Sequence, residues 1–104
     1  MSATDIALES LQAARRHIET SADPVRIKLR RAIVRYLIEL HPENFPDGVW
    51  PAFAALMDRV SRLEPEDDAG SVERTLNQMS DSEVADVIAK ISQLQEKVTA
   101  LAKR

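Results

Sequence analysis

The strongest pattern in the chain is a series of apolar residues near its C-terminus, spaced alternately three and four residues apart. They occupy the a and d positions of three heptads, with a β-branched residue at every a, as in helices that pack lengthwise against another helix. Ile88, at an e position, broadens the stripe beyond a two-stranded seam. The pattern predicts a helix from about 81 to 102, packed either against a second chain or inside the chain's own bundle. The a and d residues are Val84, Val87, Ile91, Leu94, Val98 and Leu101.

Two capping signals mark the start of this last helix. Ser80 as the N-cap residue and Glu83 three residues later form the sequence pattern of a capping box. Met79 and Val84 stand where the two residues of a hydrophobic staple are expected. Both signals predict that the helix begins near residue 81.

The segment 24–40 predicts a helix with two apolar stripes. At its start, Asp23 is expected to be the N-cap residue and Pro24 the first helical residue. The helix is expected to end at His41, because the residue before Pro42 disfavours the α conformation. The stripes lie roughly 100–120° apart on the helical wheel. A surface helix needs only one stripe, so the helix is either central in the bundle or covered by a second chain. The broad stripe holds Val25, Leu29, Ile33, Tyr36, Leu37 and Leu40, and the second holds Ile27, Val34 and Ile38.

The remaining segments are also expected to be helical, because the chain has only two glycines and no convincing alternation of apolar and polar residues of the kind found in strands. A first helix is expected over about 4–20. A further helix is expected between the turn at 43–48, where Asp47 is a candidate cap, and Pro65. A short helix is expected over about 71–79.

Length and composition predict one domain over residues 1–104. A chain of this size can bury roughly 60–68% of its unfolded surface, so it needs neither a metal nor a disulfide to fold. The absence of cysteine excludes thiol catalysis, Cys-ligated zinc and disulfide bonds. We therefore predict an all-α bundle of four to five helices with a long C-terminal heptad helix. The second apolar stripe of the helix over 24–40 and the heptads of the last helix together favour a homodimer.

Charge is distributed unevenly along the chain, although the net charge is only −3. Residues 15–35 carry seven basic and two acidic side chains, whereas residues 39–73 carry nine acidic and two basic ones. On the helix over 24–40, Lys28, Arg31 and Arg35 form a basic face. This face could contact nucleic acid or an acidic protein partner, or it could be a solvated face that pairs with the acidic loop at 64–68.

Candidate chemistry for an enzyme or a metal site is lacking in the sequence. His17 and His41 have no second metal ligand at helical spacing, and no nucleophile motif, phosphate-binding loop or zinc-protease motif is present. We therefore expect no catalytic residues, no metal site and no cofactor. No signal-peptide pattern opens the chain and no apolar run approaches the ~20 residues of a membrane span, which predicts a cytoplasmic protein without membrane contact.

These observations favour a small regulatory or adaptor protein that sequesters or caps a protein partner through apolar helix surfaces. Lys28, Arg31 and Arg35 would be the charged rim of its interface. The alternative is a dimeric DNA-binding transcriptional regulator that uses the same basic face. The expected interface residues are Ile27, Val34, Ile38, Val84, Ile88, Ile91, Leu94, Val98 and Leu101.

Overall fold

The computed structural model describes residues 3–46, 48–65 and 70–102, and within them the chain is helical with no strand. The five α-helices are α1 (Ala3–Thr20), α2 (Val25–Ala32), α3 (Trp50–Val60), α4 (Ser71–Gln78) and α5 (Asp81–Ala102). The prediction of an all-α fold with four to five helices is confirmed. The bounds of α1, α4 and α5 fall within a residue of those expected from the sequence.

Helix α2 continues into a π-helical turn over Ile33–Leu37, which the sequence did not predict. The backbone N–H of Ile38 donates to the carbonyl of Ile33 over 3.0 Å, five residues back. The wider turn accommodates two apolar sets on one segment: Ile33 and Leu37 are fully buried, while Val34 and Ile38 face outward. Single π turns inside α-helices are often found at functional sites.

The C-terminal heptad stripe lies in the core of the single chain. Helix α5 packs mainly against α1 and also against α3. Val84, Val87, Ile91, Leu94 and Val98 are buried there. This arrangement corresponds to the intramolecular alternative, because the chain's own helices already cover the stripe.

Three aromatic rings pack together where the chain enters α3. Phe45 and Phe53 have ring centroids 4.6 Å apart, and Trp50 lies 5.6 Å and 5.5 Å from them. Between these residues the chain reverses through Gly48, whose φ of +85° favours glycine. The cluster fixes how α3 leaves the preceding short 3-10 turn over Pro42–Asn44.

The capping box at the start of α5 is confirmed. The backbone N–H of Glu83 donates to the Ser80 hydroxyl over 3.1 Å, and the Ser80 N–H donates to the Glu83 carboxylate over 3.2 Å. The hydrogen bond from the Ser80 backbone lowers the pKa of Glu83 below its ordinary value. Met79 and Val84, the expected staple, are both buried.

The two caps expected for the other helices have different outcomes. The prediction that Asp23 caps α2 is wrong, because Pro24 occupies the cap position and no side chain caps the helix. The Asp23 carboxylate instead accepts a hydrogen bond from Arg31. Asp47, the expected cap of α3, lies outside the described residues.

We predict that Ser80→Ala lowers the free energy of unfolding by about 1 kcal/mol, because it removes the acceptor for the Glu83 N–H. Urea denaturation followed by circular dichroism measures the change. Ser82→Ala is the matched control, since Ser82 lies two residues further along, is exposed and is not part of the capping box. Equal losses in the two variants would contradict a specific capping role.

Candidate protein-binding surface

Helix α2, its π-helical extension and the residue that follows present four aliphatic side chains to solvent. Val25, which was expected in the broad stripe, is 39% exposed at the start of α2. Ile27 is 38% exposed, Val34 50% and Ile38 49%. Single exposed apolar residues are ordinary, but large ones that share a helix face are typical of binding sites. We call the surface formed by Ile27, Val34 and Ile38 the α2 face. It is the second stripe expected from the sequence, and within the described residues no other element covers it.

A groove of about 800 Å³ adjoins the α2 face. Val34 and Ile38 line one side, and Val72 and Glu73 from the first turns of α4 line the other. His17 of α1 contributes to the wall between them. The groove therefore has an apolar side provided by the π turn and an opposite side provided by a different helix.

Basic side chains border this groove and the α2 face. The Arg35 guanidinium lies 5.6 Å from the centre of the Tyr36 ring, a cation–π contact that leaves Arg35 itself exposed. Lys28 and Arg35 form no ion pair with the described residues, whereas Arg31 pairs with Asp23. Because residues 24–38 include no acid, the surface carries positive charge beside its aliphatic side chains.

Two other arginines of the basic segment 15–35, Arg26 and Arg30, connect α2 to α4 and to the start of α5. Arg26 donates to the carbonyl oxygens of Leu76 and Met79 over 3.1 Å and 2.7 Å, and to the Asp81 carboxylate over 3.0 Å. Arg30 pairs with Glu73 of α4 over 3.1 Å. Much of the local positive charge is thus used inside the molecule, which reduces what is available for a phosphate backbone. Sequence reasoning missed both roles, since each partner lies more than forty residues away.

His17, which lines the groove, has one ring nitrogen buried inside the molecule. Its Nε2 is buried and finds no hydrogen-bond partner among the described residues. The imidazole ring lies 6.5 Å from the Tyr36 ring. A buried polar atom without a partner costs about 1–3 kcal/mol.

The structure separates the two sets of expected interface residues. Helix α2 packs on α1 and α4, whereas α5 packs on α1 and α3. The first set, on α2, is exposed. The second set, on α5, packs in the core of the single chain: Val84, Ile91, Leu94 and Val98 are buried, and Ile88 and Leu101 are partly buried against the same core.

Comparison with protein family models found no match. Curated proteins and solved structures likewise gave no match. No helix within the described residues is long and apolar enough to cross a membrane.

Proposed function

We propose that this protein is a small cytoplasmic regulatory or adaptor protein, without enzymatic activity, that binds an acidic amphipathic helix of a partner protein on its α2 face. The observation that carries the proposal is the exposure of Ile27, Val34 and Ile38 beside basic side chains. Burying these aliphatic groups would supply affinity. The flanking positive charge favours a partner segment with negative charge.

The length of the α2 face defines the size of the partner segment. Ile27 and Ile38 are eleven positions apart, which corresponds to about 16 Å along a helix. A partner helix of about three turns covers this span. Its apolar side chains would lie against Val34 and Ile38 and fill the groove toward Val72, in the way that amphipathic helices bind hydrophobic grooves.

Charge favours a different protein over a second copy of this chain at the α2 face. In a symmetric dimer the same patch of each chain faces the other. Lys28, Arg31 and Arg35 would then lie against the same three cations, and like charges across an interface are unfavourable. Acids on a foreign helix would meet Lys28 and Arg35, mainly raising the rate of association.

We predict that a synthetic helical peptide of about 18 residues (five turns) with an aliphatic seam and glutamate flanks binds the protein, measured by fluorescence anisotropy. Val34→Ser combined with Ile38→Ser should weaken this binding on the order of tenfold or more, because two aliphatic contacts are lost. Ile6→Ser is the matched control, since Ile6 is 42% exposed but lies on α1. It should leave the affinity unchanged.

Two further probes make the outcome decisive. A peptide with the same seam and lysine flanks should bind more weakly than the acidic peptide, and equal binding of both would contradict the proposed selection by charge. Short duplex DNA is the second probe. DNA binding that falls steeply with salt and is lost in Lys28→Glu with Arg35→Glu would support the nucleic-acid alternative instead.

A further inference from the structure

A second groove runs between α3 and α5, away from the residues of the α2 face. On α3 it is lined by Ala52, Ala55 and Leu56, and on α5 by Leu94. Leu56 and Leu94 are almost fully buried, whereas the two alanines are exposed. The small alanine side chains leave an open volume of about 370 Å³ above an aliphatic floor. Because the distance between packed helices depends on the side chains at the contact, the small residues on α3 let a third helix approach closely.

Positive charge borders this groove on both sides. Lys90 and Lys97 lie on α5 and Arg59 lies on α3, and no acid is among the described residues that line it. Arg59 is already paired with Asp86 over 2.6 Å. Lys90 and Lys97 form no ion pair with the described residues, and their seven-residue separation places them on one side of α5, about 10 Å apart.

We propose that the α3/α5 groove is a second docking site, and that its occupant is a partner helix with two acids seven residues apart around a pair of aliphatic residues. The aliphatic pair would lie against the exposed methyl groups of Ala52 and Ala55, above the buried Leu56 and Leu94. The two carboxylates would meet Lys90 and Lys97. This site is independent of the α2 face, since the two surfaces share no lining residue.

A second copy of this chain does not supply such a helix. Glu66 and Glu73 are the one pair of acids seven residues apart in the sequence. The residues three and four positions after Glu66 are Ala69 and Gly70, which provide no aliphatic pair. The charge pattern of the groove therefore indicates a foreign segment.

The test uses the full chain with Val34→Ser and Ile38→Ser, so that the α2 face does not contribute. The probe is a labelled helical peptide with glutamates at positions i and i+7 around leucines at i+3 and i+4, titrated in fluorescence anisotropy. We expect binding that Lys90→Glu with Lys97→Glu weakens on the order of tenfold, since two favourable ion pairs become repulsive. The control variant Arg16→Glu with Arg62→Glu carries the same change in net charge on exposed residues elsewhere.

A peptide with lysines in place of the two glutamates completes the design. It should bind the Lys90→Glu, Lys97→Glu variant better than it binds the parent chain. Absence of binding by the glutamate peptide, or equal weakening by the control variant, would overturn the second site. Neither result would bear on the α2 face, because that face is disabled throughout.

Discussion

Ile91→Asp is expected to unfold the chain. Ile91 is fully buried in α5, against α1 and α3. An unpaired carboxylate there would be removed from water without a partner, a change that costs more than about 4 kcal/mol. A domain of this kind has about 5–15 kcal/mol of stability in total, so this loss removes a large fraction of it. The melting temperature should fall by at least about 15 °C, and at the lower end of that range the helical signal is largely lost at 37 °C. Circular dichroism with thermal melting measures this.

Two control substitutions place the same carboxylate at exposed positions. Ala89→Asp lies on the solvent side of α5, and Val34→Asp lies on the α2 face. Both should leave the chain folded, with changes of about 1 kcal/mol or less. A folded, monomeric Ile91→Asp variant of a dimeric parent, found by light scattering, would instead assign the α5 stripe to an interface between chains.

Arg26→Ala is expected to cause the next largest loss, about 2–4 kcal/mol of unfolding free energy. The guanidinium holds α2 to the junction between α4 and α5 through the carbonyl oxygens of Leu76 and Met79. Hydrogen bonds that involve a charged group contribute about 1.5–3 kcal/mol each. The 28% exposure of the Arg26 side chain reduces the sum of the two, because water competes for the guanidinium. The ion pair with Asp81 adds little, since that carboxylate is 96% exposed. Urea denaturation measures the loss.

The substitution Arg26→Lys separates charge from geometry. Lysine keeps the positive charge but has no planar fork, so it cannot reach all three acceptors at once. We expect a loss intermediate between those of wild type and Arg26→Ala. Lys28→Ala, two positions along the same helix, should change stability by less than about 0.5 kcal/mol. An Arg26→Ala variant as stable as Lys28→Ala would show that the hydrogen bonds of Arg26 do not stabilise the fold.

The helices could be predicted from the sequence because their signals are local. The capping box at Ser80 and Glu83 marks the start of α5. The ends expected at the prolines at 42 and 65 were placed too late, because the π turn after α2 ends at Leu37 and α3 ends at Val60. The π turn could not be predicted in this way. It is defined by a hydrogen bond from the backbone N–H of Ile38 to the carbonyl of Ile33, and no local sequence signal distinguishes it from a continued α-helix.

The candidate surface could be predicted only in part. The second apolar stripe of α2 was recognisable because its residues follow the helical period. Whether the heptads of α5 pack within one chain or between two chains could not be predicted, because both kinds of packing have the same sequence pattern. The division of the basic block into structural Arg26 and Arg30 and exposed Arg35 depends on distant partners, and the groove between α3 and α5 depends on two helices about forty residues apart.

The most direct measurement is an NMR titration of the isotope-labelled protein with the glutamate-flanked peptide designed for the α2 face. We expect the backbone amide signals of Ile27, Val34, Ile38 and their neighbours to shift progressively and saturate. The amides at the centre of α5, around Ile91, should move little. An unchanged α2 face at saturating peptide, or shifts concentrated along the buried stripe of α5, would contradict the proposed function.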